Sequence, residues 1–174
     1  MSSAAAAATN ATRNYAIRPA RPEDCETIAN MVRELAVYEK LEQYALATGD
    51  DFRRNLFGDR VYAEALMAEC DGTPAGFALA FPTFSTFRGQ PGLYLEDLYV
   101  RPEHRGKGLG KALLARLAAT AKERGYGRVE WAVLNWNAPA IGFYQSLGAR
   151  PMDEWTVYRI DEGALDQLAR SASL

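Results

Sequence analysis

The segment LYLEDLYVRPEHRGKGLGK, Leu93 to Lys111, decides how this chain is read. Leu93 to Val100 reads as a strand, apolar except for Glu96 and Asp97. Three glycines follow within five residues, Gly106, Gly108 and Gly110. A helical pattern then runs from Leu109 to about Arg124, with Leu113, Leu114 and Leu117 turned inward and Gly125 ending it. Glycines at such a turn let backbone amides come close to an anion. A helix start adds unpaired N–H groups and a positive dipole end. Charge agrees with this. Arg101, Arg105, Lys107 and Lys111 face one acid, Glu103, so the segment from Arg101 to Lys111 carries +3 while the whole chain carries −2. An acidic protein keeps a basic patch where a phosphate would sit.

Two familiar phosphate turns fail the spacing. A Walker loop would need glycine where Arg105 stands and a hydroxyl where Ala112 stands. A dinucleotide fingerprint would need its third glycine three residues after the second, but Gly110 follows Gly108 by two. The spacing that fits is Arg-x-x-Gly-x-Gly, from Arg105 to Gly110.

Working outward, Tyr15 to Arg18 alternates like a strand and is closed by Pro19. Pro22 opens a helix with Glu23, Asp24 and Glu26 in its first turn, and Ile28, Val32, Leu35 and Ala36 form its apolar stripe. A short helix is expected over Asp51 to Phe57, stopped by Gly58. Strands are expected over Val61 to Glu69 and Ala75 to Phe81, joined by the turn pair Asp71-Gly72. Thr83 to Gly92 reads as an aromatic loop. Beyond the long helix, Arg128 to Leu134 reads as a strand. Asn137 caps a helix with Pro139 in its first turn that ends at Leu147-Gly148. Trp155 to Ile160 reads as a last strand before a short C-terminal helix. The fold expected is α/β: one mixed, mostly antiparallel twisted sheet flanked by helices, with hairpins first and a βαβ crossover later.

The 174 residues, 48% hydrophobic and 24% charged, suit one ordinary domain. Residues 1–13 read as a disordered leader without the basic and apolar regions of a signal peptide, and 14–174 as the single domain. No apolar run approaches a membrane span. A net charge of −2 argues against a nucleic-acid binder. Cys25 and Cys70 lack metal spacing and read as reduced, buried residues. The single histidine, His104, reads as a surface residue and makes a histidine-rich metal site hard to build. No metal is implied, and a cytoplasmic location is expected.

The turn Arg105 to Gly110, following an apolar strand and followed by a further strand and an Asn-capped helix, resembles that of the GNAT acetyltransferase superfamily. Ile17-Arg18-Pro19-Ala20, Glu34-Leu35-Ala36, Tyr38-Glu39, Tyr94-Leu95-Glu96-Asp97, Trp136-Asn137, Pro139 and Phe143-Tyr144 are similar to the diamine (spermidine/spermine) and thialysine N-acetyltransferase branch. Glu130-Trp131-Ala132 departs from that branch and leaves the amine open.

The resemblance implies a GNAT-like acyl-CoA N-acyltransferase fold and an acetyl-CoA-dependent N-acetyltransferase acting on a small cationic amine such as a polyamine, a diamine or a lysine-like compound. It assigns acetyl-CoA to Leu98, Tyr99 and Val100, to Arg105, Gly106, Lys107, Gly108, Leu109, Gly110 and Lys111, and to Asn137, Pro139 and Ala140. It makes Tyr144 the acid for the departing thiolate and Glu96 the base, through water. It places Tyr38, Glu39, Glu96, Asp97 and Trp155 at the amine, and it implies a homodimer. Trp155 also reads as a core residue. An acid such as Glu39 is unfavourable at a helix C-terminus, which a cationic ligand would explain. Two other functions remain open at this point: acetylation of a peptide or protein amine, and a noncatalytic acyl-CoA-binding module.

Overall fold

The computed structural model describes residues 14–172. The expected leader, residues 1–13, lies outside them. The chain divides between Ala132 and Val133 into two compact units, and each is described by itself.

The first unit holds a five-stranded sheet in the order β1-β2-β3-β4-β5. Its strands are β1 (Tyr15–Pro19), β2 (Glu64–Cys70), β3 (Thr73–Ser85), β4 (Gln90–Val100) and β5 (Val129–Trp131). The first four pair antiparallel, and β4 with β5 pairs parallel. The turn between β2 and β3 puts Asp71 at φ 51° and Gly72 at φ 76°. Both are left-handed, as a two-residue hairpin with the natural strand twist requires. A parallel pair needs a crossover, supplied by α3 (Leu109–Glu123). Helices α1 (Cys25–Glu39) and α2 (Gly49–Phe57) fill the long connection between β1 and β2.

Both faces of the sheet are covered, so β3 is buried without a break from Ala75 to Ala80. Phe77 and Leu79 face α1 and α2, in a cluster with Ile28, Met31, Leu56, Ala65, Met67 and Tyr99. Alternation turns the small Ala78 and Ala80 to the other face, and α3 brings buried Leu113, Leu114, Leu117 and Ala121 to the sheet. The start of α1 is fastened to β1. Arg18 donates to both carboxylate oxygens of buried Asp24, at 2.7 and 2.9 Å, and Asp24 also accepts from the Arg21 N–H at 2.7 Å. The guanidinium holds the Asp24 carboxyl below its ordinary range.

Three sequence expectations change. Thr83 to Gly92 is mostly strand, since Ser85 faces Gln90 and only residues 86–89 turn. Pro82 and Pro91 lie where β3 has run past the end of β2 and β4 has not yet met β5. Prolines are tolerated on such edges. The strand expected over Arg128 to Leu134 shortens to Val129–Trp131.

The second unit contains α4 (Ala138–Ser146) and α5 (Glu162–Ala169). The expected strand over Trp155 to Ile160 is not formed. Its residues pair with no strand among those described, and Val157 and Tyr158 are 86% and 90% exposed. Strand propensity needs a neighbouring ladder to be realised.

Candidate active site

The site in the first unit is built on β4. Facing β3, Asp97 lies opposite Leu79 and Leu95 lies opposite Ala80, so Glu96 is an extra residue without a partner. This is a β-bulge. Without it Asp97 would share the face of Leu95. With it Asp97 joins Leu79 and Tyr99 on the face covered by α1. Glu96 is exposed, whereas Asp97 is half-buried.

The bulge also divides the strand's neighbours. Leu93 to Leu95 pair with Val129 to Trp131 of β5, and beyond Leu95 no strand adjoins β4 on that side among the described residues. The Arg101 N–H donates to Ala75 O at 2.9 Å, toward β3. Alternation then turns the peptide groups of Leu98 and Val100 the opposite way, to the open edge. Tyr99, with its backbone toward β3, is buried.

Helix α1 brings a second acid to this place. Glu39 is its last residue, and the next, Lys40, leaves the helix in the left-handed conformation at φ 61°. Burial raises the Glu39 carboxyl above its ordinary range. Asp97 is pushed up to about 6, first by burial and then by the charges of Glu96 and Glu39. The charges of Glu96 and Glu39 therefore both act on the buried carboxyl of Asp97, and each of them is negative. Such a cluster attracts a cation and can hold a proton near neutral pH.

The turn after β4 takes the conformation that its glycines foretell. Gly106 has φ 72° and Gly108 has φ 85°, and a Cβ at either would meet nothing within 4 Å. Gly108 stands at the N-cap of α3, and no side chain caps that helix. The first intrahelical bond runs from the Ala112 N–H to Gly108 O, at 2.9 Å. The N–H groups before it, of Leu109, Gly110 and Lys111, have no intrahelical acceptor. This open cradle at a positive helix end fits a diphosphate.

The cations of the basic patch are not equivalent. Arg101 is committed to Glu34 of α1 by two bonds, at 2.9 and 3.1 Å, and to Pro74 O at 3.0 Å. Lys107 Nζ donates to Glu103 O at 2.6 Å. Arg105 Nε donates to Val100 O at 2.8 Å, and its guanidinium carbon lies 5.0 Å from the Tyr38 ring centre and 5.7 Å from that of Tyr99. Neither the bulge nor this stack was visible in the sequence. The only hint was the apolar strand's paired acids. His104 is less exposed than expected, with its ring edge-on to Tyr15 at 6.2 Å. Cys25 and Cys70 are buried and free, as expected.

In the second unit, Asn137 is buried and its side chain caps α4, accepting from the Ala140 N–H at 3.3 Å, with Pro139 in the first turn. Tyr144 is half-buried on α4 with its ring 5.3 Å from that of Phe143. Trp155 is 69% exposed, which overturns the core reading.

A mixed sheet whose fourth strand is bulged and then left open, followed by a glycine turn into a helix start, has the architecture of an acyl N-acyltransferase. Residues 26–149 match the acetyltransferase (GNAT) family, and the chain belongs to it; it is an acetyltransferase. It is 36% identical over 164 residues to the thialysine N-epsilon-acetyltransferase of Sus scrofa, covering 88% of this chain and 96% of that one. It is 30% identical to an L-ornithine N5-acetyltransferase of Arabidopsis thaliana, covering 87% and 86%. Among solved structures it is similar to an integron cassette protein from the mobile metagenome of V. cholerae, with TM-score 0.76, 27% identity, and 90% and 98% coverage. No helix among the described residues is long and apolar enough to cross a membrane.

Proposed function

We propose that this enzyme transfers the acetyl group of acetyl-CoA to a primary amine of a small cationic acceptor, by direct attack. The observation that carries the reading is the bulge at Glu96, which turns Asp97 inward, under the charges of Glu39 and Glu96, beside a strand edge left open. Acetyl-CoA supplies the activated acetyl carbonyl. Leu98 and Val100 offer their outward peptide groups to the pantetheine amides, and the turn Arg105 to Lys111 offers N–H groups and cations to the diphosphate. The positions of Gly106 and Gly108, open above their Cα atoms, support this.

Glu39 and Asp97 attract the ammonium. Glu96, exposed at the bulge, takes its proton through water, because the ammonium itself cannot attack. Tyr144 is assigned the proton for the departing thiolate and Asn137 a contact with CoA; both assignments rest on the resemblance of α4 to the family motif. The thialysine and ornithine acetyltransferases among the relatives support a small amine acceptor. The family match crosses the division at Ala132 and supports one acetyltransferase domain over 14–174. Two free cysteines agree with a reducing, cytoplasmic setting. The homodimer rests on the resemblance alone, and sedimentation velocity tests it.

The deciding experiment is acetyl transfer over an amine panel at low and high salt, read as thiol release. Diamines, polyamines or basic amino acids should outperform neutral amines of equal length, with kcat/KM falling as salt rises. Equal kcat/KM for cationic and neutral amines, insensitive to salt and to Glu39→Gln, would remove the cationic acceptor.

A further inference from the structure

Arg105 makes contacts that both ligands of the proposed reaction would need. Its Nε occupies Val100 O, which alternation aims at the open edge of β4. Its guanidinium lies over the rings of both Tyr38 and Tyr99. Those rings adjoin the acidic cluster: Tyr38 precedes Glu39 on α1, and Tyr99 follows Asp97 by two residues on the same face of β4. An aromatic pair beside three carboxylates is a seat for an alkylammonium group. In the free protein the seat already holds a cation, and that cation belongs to the anion-binding turn.

We propose that Tyr38 and Tyr99 form the seat for a cationic group of the acceptor, and that Arg105 fills it until a diphosphate draws the guanidinium away, so that donor binding opens the acceptor site. The inference rests on the acetyltransferase reading above and adds an order of binding to it. The exchange follows from strength. A guanidinium paired to phosphate oxygens makes charge-assisted, bidentate hydrogen bonds. Stacked on a half-exposed phenol it makes the weaker cation–π contact. Arrival of the donor therefore frees two things together: the carbonyl of Val100 for pantetheine and the ring faces for an ammonium. Linkage makes the effect reciprocal, so the amine tightens CoA by the factor by which CoA tightens the amine.

The test is calorimetric titration of spermidine into the protein alone and into the protein saturated with CoA, which lacks the acetyl group and allows no turnover. The spermidine Kd should fall roughly two- to thirtyfold when CoA is bound, the span of a cation–π contact. In Arg105→Gln, spermidine should bind the CoA-free protein as tightly as it binds CoA-loaded wild type. Tyr38→Phe should keep the coupling and Tyr38→Leu should erase it, both being changes at an exposed position checked by circular dichroism. Wild type that binds CoA with an unchanged spermidine Kd would overturn the seat and leave the acetyltransferase reading intact. Coupling that survives in folded Tyr38→Leu would also overturn it. Failure of the wild type to bind CoA would remove the donor reading itself.

Discussion

The two halves of β4 share a strand and an apolar composition but differ in their neighbours. Leu93 to Leu95 lie between β3 and β5, and Leu93 and Leu95 are almost wholly buried. Leu98 to Val100 have β3 on one side and an open edge on the other. One extra residue, Glu96, separates the halves. The first half holds the sheet together, and the second has its hydrogen bonds to spare. The open edge is a stretch of sheet from which one neighbour has been withheld, and the same bulge turns Asp97 to the face covered by α1, where the charge of Glu39 acts on it.

The largest effect expected is on the residue at the divide. Glu96→Gln should lower kcat by about 10²- to 10⁴-fold, about 3 to 5 kcal/mol in the barrier, without changing thermal stability, since the side chain is exposed. Unaltered turnover with the chemical step limiting would return Glu96 to a structural part.

Next comes the closed half. Leu93→Ala should cost about 2 to 5 kcal/mol in urea unfolding, whereas Leu98→Ala, only half-buried, should cost clearly less. Equal losses would erase the distinction between the halves.

Asp97 offers a smaller effect with a definite sign. Its pKa rises from 3.8 to about 6 on folding, so between those values the native state binds more protons than the unfolded chain. Stability contributed by this group therefore falls as pH rises through that window. Asp97→Asn should raise stability by about 1 to 3 kcal/mol at pH 8 and change little near pH 4, while raising KM for the amine. A stability gain independent of pH would exclude carboxylate burial as its cause.

The smallest effect belongs to the turn that continues the open half. Gly108→Ala should cost about 1 kcal/mol of stability because φ is 85° there, and should weaken acetyl-CoA binding measurably in calorimetry. Unchanged affinity would make the turn structural only.

Local signals were legible in the sequence. The turn Asp71-Gly72, the helix stop at Gly58, the glycines before α3 and the cap at Asn137 each state their conformation within a few residues. Glu39, Glu96 and Asp97 were recognisable as a group through the resemblance. The bulge was not legible, because register belongs to two strands and neither one carries it alone. Nor was the commitment of Arg101 to Glu34, which are 67 residues apart in the chain. In mid-chain the aromatic segment Thr83 to Gly92 misled, since its proline, Pro91, marks an edge rather than a loop. At the other end, Trp155 to Ile160 read as a strand that no neighbour among the described residues completes.

The pair between Arg101 and Glu34 sets a dimension. Glu34 stands one helical turn before Tyr38, and Arg101 stands just beyond Tyr99, so the bond ties together the two supports on which acceptor and donor would be carried. Its two hydrogen bonds, in the rigid fork of a guanidinium, fix a length as well as an attraction. Reaction between two bound molecules is sensitive to errors of about 1 Å, which can cost about a hundredfold in rate. In mechanical language Arg101 is a gauge block: a lysine there would keep the charge and lose the tolerance.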